Sequence, residues 1–185
     1  MSNVECSPRE TIENLVNAYI GERNAAALYI AFAVQADKEG YFGVGSLFRA
    51  VADSEHVHAT NHARVLLKYG AELRLSVLPV QVRTTFENLR SAFRGEMDER
   101  EKMYPSFAKQ AQLDECREAK QSFRMAAEGE AVHAMLFVTA LESIDEYRER
   151  SPYDVCMNCG WVCSGIHFRR CVFCDSERDR FEQID

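Results

Sequence analysis

No apolar run in this chain is long enough to cross a bilayer: the longest, AAALYIAFAV, extends only from Ala25 to Val34, against about 18 residues for a membrane helix. The opening MSNVECSPRE has neither the basic start nor the apolar stretch of a secretory signal, so a cytoplasmic protein with no membrane partner is expected. Excess positive charge is missing too. With 22 Lys and Arg against 29 Asp and Glu, a net charge of −7 argues against nucleic-acid binding, which relies on cations neutralising phosphates. The 7 cysteines are an odd number in a chain without an export signal, so a disulfide framework is not expected. Cys6 and Cys116 read as ordinary free thiols. What remains is 185 residues at 46% hydrophobic content, enough for one core and a small additional module.

Four segments carry helical periodicity. Ile12, Leu15, Tyr19, Glu22, Ala26, Tyr29 and Ala33 fall in steps of three and four, as do Val44, Phe48, Val51, Glu55, His58, His62, Val65 and Tyr69. The stretch AELRLSVLPVQVRTT then loses the rhythm and contains Pro79, which suits a long crossover instead of a hairpin turn. Thr84 and Glu87 form the signature of a capping box, opening a third helix whose expected inward residues are Phe86, Leu89, Phe93, Glu96, Glu99, Met103 and Phe107, with a kink at Pro105. The fourth seam is Ala119, Phe123, Ala126, Glu130, His133, Phe137, Ala140 and Ile144. The expected fold is all-α, a four-helix bundle with one long crossover over residues 1–150, followed by a small metal-binding domain over 151–185.

Each apolar seam carries a glutamate near its middle, and the seams contain no Lys or Arg. Burying one ionised carboxylate alone costs several kcal/mol, and a whole domain is stable by only about 5–15 kcal/mol. Glu22, Glu55, Glu96, Glu99 and Glu130 must therefore be protonated or surround cations. The histidines favour cations. His58 and His133 each follow a glutamate by three positions, on the same helix face, so Glu and His can grip one ion together. Glu22 precedes Glu55 by 33 residues and Glu96 precedes Glu130 by 34, the mark of a duplicated helix pair. Two Glu-x-x-His units and two single glutamates around two metal ions is the ferritin-like dimetal arrangement. The oxygen and nitrogen donors suit iron or manganese better than zinc. Glu99 is a surplus acid one turn after Glu96, expected to bind in one oxidation state and release in the other. His62 reads as a hydrogen-bonded core or edge histidine and His56 as a solvated one, while Tyr29 and Tyr104 could each offer a hydroxyl to the site.

The tail YDVCMNCGWVCSGIHFRRCVFCDSERDRFEQID places Cys156, Cys159, Cys171 and Cys174 as C-x2-C-x11-C-x2-C, a four-thiolate site. Tyr153, Trp161, Phe168, Phe173 and Phe181 are expected to gather around its metal, which supplies much of the folding energy of so short a module. Spacing does not separate zinc from iron; attachment to a redox bundle favours iron as an electron relay.

These segments, GERNAAALYIAFA, DSEHVHA, GEMDEREKMYPSFAK, EAVHAM and CMNCGWV, make nearly the whole chain resemble the rubrerythrin family, a ferritin-like bundle with a rubredoxin-like tail. The resemblance implies that Glu22, Glu55, His58, Glu96, Glu99, Glu130 and His133 bind a di-iron centre, oxo- or hydroxo-bridged when oxidised. Glu99 would exchange with His58 as the iron changes state, Tyr29 and Tyr104 would hydrogen-bond the ligands, and the four cysteines would hold one iron. It implies a peroxidase reducing hydrogen peroxide to water, supplied by an electron-donating reductase or redox protein. The chain departs from the pattern at CVFC, which lacks the usual proline, at Cys163, which could compete as a ligand, and at His62, where an apolar residue is usual.

His133 and Ser151 are 18 residues apart, about 27 Å at roughly 1.5 Å per residue, too far for fast electron transfer unless the tail folds back. A head-to-tail homodimer is therefore expected. Two other functions fit the same residues: a ferroxidase, iron-handling or oxygen-reducing di-iron protein, and a non-enzymatic sensor or scaffold with zinc in its tail.

Overall fold

In a computed structural model, the structure describes residues 8–73, 76–165 and 169–185. Cys6, expected to be a free thiol, and Phe168, expected to pack at the tail metal, lie outside them. Among the described residues α1 (Arg9–Lys38) and α2 (Phe42–Lys68) form one antiparallel pair, joined at Gly40, whose φ of +77° turns the chain back. Helices α3 (Thr85–Asp98) and α4 (Tyr104–Leu113) are one rod packed against α5 (Arg117–Glu142). The crossover between the pairs contains no regular element among its described residues, and Asn24 of α1 pins it by donating to the Ser76 carbonyl at 2.8 Å and accepting from the Leu78 amide at 3.0 Å. The architecture is a ferritin-like four-helix bundle, and no helix among the described residues is long and apolar enough to cross a membrane.

The capping box at Thr84 and Glu87 starts α3 with both reciprocal bonds in place. The irregularity associated with Pro105 is a π-helical turn over Glu99–Met103, immediately before the proline. Proline has no N–H to donate and its ring crowds the carbonyl four residues back, so the turn preceding it widens. The turn accommodates one extra residue. Equivalent positions differ by 74 between Glu22 and Glu96, but by 75 between Tyr29 and Tyr104, Glu55 and Glu130, and His58 and His133. The insertion thus falls between 96 and 104, where the π turn lies.

Two expected inward residues point outward: Phe86 is 50% exposed in the first turn of α3, and Tyr69 is 37% exposed at the end of α2. Both sit where a rod protrudes beyond its neighbours, so periodicity continues but packing does not.

The tail is a three-stranded antiparallel sheet in the order β2 (Val162–Ser164), β1 (Tyr153–Cys156), β3 (Phe181–Ile184). It lies back along α2 and α5. Tyr153, Val155 and Val162 join the same buried cluster as Phe32, Phe48 and Phe137, so Tyr153 packs on the bundle instead of gathering around the cysteines as expected. Trp161 and Phe181 pack with the cysteines, while Phe173 is 48% exposed against the Trp161 ring. Asn61 donates to the Asn158 carbonyl at 3.0 Å, Arg49 to the Asp185 carbonyl at 2.6 Å, and the Ser54 hydroxyl to the Gly160 carbonyl. The premise that separated tail from bundle therefore fails: the tail of the same chain reaches the bundle core, and distance alone does not demand a partner subunit.

Candidate metal centres

At mid-bundle, two four-donor groups overlap. Glu22, Glu55, His58 and Glu130 have donor atoms within 4.8 Å of one another, as do Glu55, Glu96, Glu130 and His133, so Glu55 and Glu130 belong to both groups. The two shared carboxylates face both ways. His58 Nδ1 is 3.1 Å from Glu55 Oε2 and 3.2 Å from Glu130 Oε1, while His133 Nδ1 is 3.2 Å from Glu55 Oε1 and 2.8 Å from Glu130 Oε2. Glu96 Oε2 completes the second set, 3.2 Å from His133 Nδ1. Neighbouring donors on an octahedral ion with bonds of about 2.1 Å lie about 3 Å apart, so these spacings suit ions held between the groups.

The electrostatics point the same way. Glu22 Oε2 and His58 Nε2 are buried without a hydrogen-bond partner among the described residues, and Glu55 Oε1 and both Glu130 oxygens meet only histidine Nδ1 atoms, which is costly unless an ion takes them up. Burial, then repulsion from Glu55 and Glu130, raises Glu22 and Glu96 well above the usual carboxylate range. Glu99 lies outside both groups and is partly exposed; burial and then Glu130 raise it too. Burial opposes ionisation of Glu130 and Glu55 as well, but the facing histidines outweigh it and hold both below the usual value. Burial disfavours the His58 imidazolium, yet Glu130 and Glu55 lift it to about 9, and Glu55 and Glu96 lift His133 in the same way. Without metals, protons replace the cations: the imidazole rings hold them more tightly beside Glu55 and Glu130, and burial makes Glu22, Glu96 and Glu99 harder to ionise. Those protons are what ions displace.

The two ends of this centre are nearly, but not fully, equivalent. Tyr29 donates to Glu96 Oε1 and Tyr104 to Glu22 Oε1, each tyrosine reaching across to the other half's single glutamate. Ser54 occupies the position 75 residues before Gly129. Its hydroxyl lies 2.9 Å from His133 Nε2 and steadies that ring. Gly129 offers nothing equivalent to His58 and leaves only room for it: a Cβ at 129 would sit 2.5 Å from His58 Cε1. Gly160 of the tail, with φ +83°, closes over the same ring, and a Cβ there would collide with His58 Nε2 and lie 2.8 Å from Ser54 Oγ. Ser54, Gly129 and Gly160 escaped the sequence reading, although aligning DSEHVHA with EGEAVHA at the 75-residue offset sets Ser54 opposite Gly129. His62 is fully buried and hydrogen-bonded, as expected, and His56 is exposed beside Arg23 Nη1 at 2.6 Å.

In the tail, Cys156, Cys159, Cys171 and Cys174 form one group, with sulfur–sulfur distances of 3.7 Å for Cys156–Cys174 and 3.6 Å for Cys159–Cys171. A disulfide needs about 2.05 Å, whereas a tetrahedral ion with metal–sulfur bonds of about 2.3 Å sets its ligands about 3.8 Å apart. The geometry fits the ion. Cys163 does not join the group; its thiol faces the Asp154 carbonyl at 3.8 Å, and burial raises it to about 11. Cys116 is likewise buried and outside any donor group among the described residues.

Fold and donor sets together define a ferritin-like dimetal carboxylate bundle carrying a rubredoxin-like four-cysteine tail. A rubrerythrin family model matches residues 13–141, and the chain belongs to the rubrerythrin family. It is 33% identical to rubrerythrin-2 of Clostridium acetobutylicum over 93% of this chain and 95% of that one, and 33% identical to nigerythrin of Nitratidesulfovibrio vulgaris over 92% and 85%. A solved mixed-valence structure of nigerythrin superposes with a TM-score of 0.87 at 31% identity, covering 94% of this chain and 86% of that chain. The cofactors are a di-iron centre in the bundle and one iron in the tail.

Proposed function

We propose that this chain is a cytoplasmic non-haem di-iron peroxidase that reduces hydrogen peroxide to water, with Glu22, Glu55, His58, Glu96, Glu130 and His133 as ligands of the pair and the four cysteines as ligands of the relay. The bundle over 1–150 carries the chemistry and the tail over 151–185 the electron supply. When bound, the iron pair supplies the two electrons that break the O–O bond. The observation that carries the reading is the approach of the tail to His58: Gly160, adjacent to Cys159, touches the ring whose neighbours Glu55 and Glu130 serve both metal positions.

The residues of the chain prepare this chemistry. Glu55 and Glu130 hold the two positions at fixed separation because each directs one oxygen to each histidine. Tyr29 and Tyr104 donate hydrogen bonds to Glu96 and Glu22 and restrain their rotation. His58, unlike His133, has no hydrogen-bond partner on Nε2 among the described residues, so nothing tethers that side of its ring. That missing tether supports exchange with Glu99, which waits one turn from Glu96, partly exposed and outside the four-donor groups. An electron-donating redox protein would reduce the tail, and a head-to-tail homodimer is compatible with this arrangement but not required by it.

Anaerobic stopped-flow mixing of the reduced protein with peroxide and with oxygen tests the reading. Oxidation by peroxide at least tenfold faster than by oxygen, with two electrons consumed per pair, is expected. Faster oxidation by oxygen, with many ferrous ions oxidised and retained per chain, would instead make this a ferroxidase.

A further inference from the structure

The internal duplication pairs the aromatic residues around the centre, and besides Ser54 opposite Gly129 one further pair differs in chemistry. Around Tyr29 stand Phe32, Phe48 and Phe137, with ring centroids 6.2, 5.8 and 5.5 Å away. Adding 75 to 32 and 48 gives Phe107 and Phe123, which surround Tyr104 at 6.4 and 6.2 Å. Subtracting 75 from Phe137 gives His62, stacked on Tyr104 at 5.8 Å. An imidazole therefore stands where the other half has a phenyl ring.

This imidazole is placed to do more than fill space. Its Nε2 is 3.2 Å from the Tyr104 hydroxyl and its Nδ1 is 2.8 Å from Ser122 Oγ, so both ring nitrogens are engaged in a site with no exposed ring surface. Tyr104 in turn donates to Glu22 Oε1. The bonds have one consistent sense: the Ser122 hydroxyl donates to Nδ1, the Nε2–H donates to the tyrosine oxygen, and the tyrosine hydroxyl donates to the carboxylate. Ser122, 7% exposed where His62 and Tyr104 are 0%, is the outermost member of this row, and the inner end is a metal-facing acid. At the other end of the centre, Tyr29 has no polar partner among the described residues besides Glu96, and its row stops in hydrocarbon.

We propose that Ser122, His62 and Tyr104 form a proton relay from solvent to Glu22, present at one end of the dimetal centre and blocked at the other by Phe137. Each neutral group accepts a proton on one side as it releases one on the other, so none changes its resting charge. The proposal rests on the peroxidase reading for its use: reducing one hydrogen peroxide to two waters consumes two electrons, supplied by the iron pair, and two protons, which must reach a buried site. The relay would deliver protons on the Glu22 side, and His62 would be a positioning and proton-passing residue, distinct from the ligands.

Two measurements separate the relay from its use. In protein loaded with diamagnetic zinc, solvent exchange of the two buried tyrosine hydroxyl protons is followed by NMR. Tyr104 should exchange at least about tenfold faster than Tyr29 in the unaltered chain, fall to the Tyr29 rate in His62→Phe, and recover in part in His62→Gln, whose amide can both donate and accept. Equal rates for the two tyrosines, or a Tyr104 rate unmoved by His62→Phe while the fold is intact, would overturn the relay. In iron-loaded reduced protein, His62→Phe should slow oxidation by peroxide by roughly a hundredfold, the low end for general acid catalysis, and enlarge its solvent isotope effect, with His62→Gln between. Exchange abolished but peroxide oxidation unchanged would overturn the delivery role. A chain that never reacts with peroxide would remove the peroxidase reading and leave the exchange result to decide the relay.

Discussion

Substituting Gly129→Ala adds one methyl group at the point where the two halves of the centre differ. The Cβ would lie 2.5 Å from His58 Cε1 and 2.6 Å from Nε2, whereas unstrained carbon contacts lie at about 3.5–4.0 Å. Ring or backbone must yield by about 1 Å. The backbone at 129 is held inside α5, so the ring moves and His58 leaves the Glu55 and Glu130 oxygens. Overpacking of this kind costs about 1–3 kcal/mol, and a change of that size lowers the melting temperature of a chain this long by roughly 2–12 °C. The group containing His133 is not touched. Metal occupancy should therefore fall unevenly, with the Glu22 and His58 position weakened about tenfold or more and the Glu96 and His133 position kept. Elemental analysis after dialysis against a graded chelator series, with thermal melts alongside, measures both. A variant retaining two bundle metals at the same chelator strength, and melting where the parent does, would refute the tight fit at His58.

Other consequences follow from the same geometry. Because the carboxylates lift His58 to about 9, well above its unfolded value, metal must displace its proton at neutral pH; apparent zinc affinity for the bundle should rise at least about tenfold per pH unit from 6 toward 9, and a flat profile in competition titrations would contradict the assignment. The metal-free protein should behave oppositely, since a raised histidine pKa contributes stability in full below about 6.5 and loses it as pH rises through about 9, so its melting temperature at pH 9 should lie below that at pH 6.5. Cys171→Ser should remove the tail metal, whereas Cys163→Ser, outside the sulfur cluster, should leave metal content and ferric-thiolate absorption intact. Ser54→Ala removes the bonds to His133 Nε2 and the Gly160 carbonyl together, and should lower stability by about 1–3 kcal/mol and loosen the tail, read as faster amide exchange in β1 and β2.

Much of the centre was legible because buried charge is so costly. Glutamates at Glu22, Glu55, Glu96 and Glu130 inside apolar seams demanded compensation, and the structure brings all four together with His58 and His133. The four tail cysteines were legible from spacing alone. What periodicity could not give was context beyond one helix. Phe86 and Tyr69 keep the rhythm of their seams but lie where no neighbouring rod covers them. The path of the tail depends on contacts between residues more than 90 positions apart, Asn61 with Asn158 and Ser54 with Gly160, and no local pattern announces them. The π turn was within reach, because the change of offset from 74 to 75 places an inserted residue between Glu96 and Tyr104, but its cause at Pro105 needed the backbone to be seen.

The central claim is that ions between Glu55 and Glu130 neutralise the acidic interior of the bundle. Anomalous diffraction at the iron edge from crystals of iron-loaded protein measures this directly. Two peaks flanked by Glu55 and Glu130, one beside His58 or Glu99 and one beside His133, with a third among the four cysteines, are the expected result. Density showing the bundle interior free of iron, with His58 and His133 still ion-paired to the glutamates, would contradict the account.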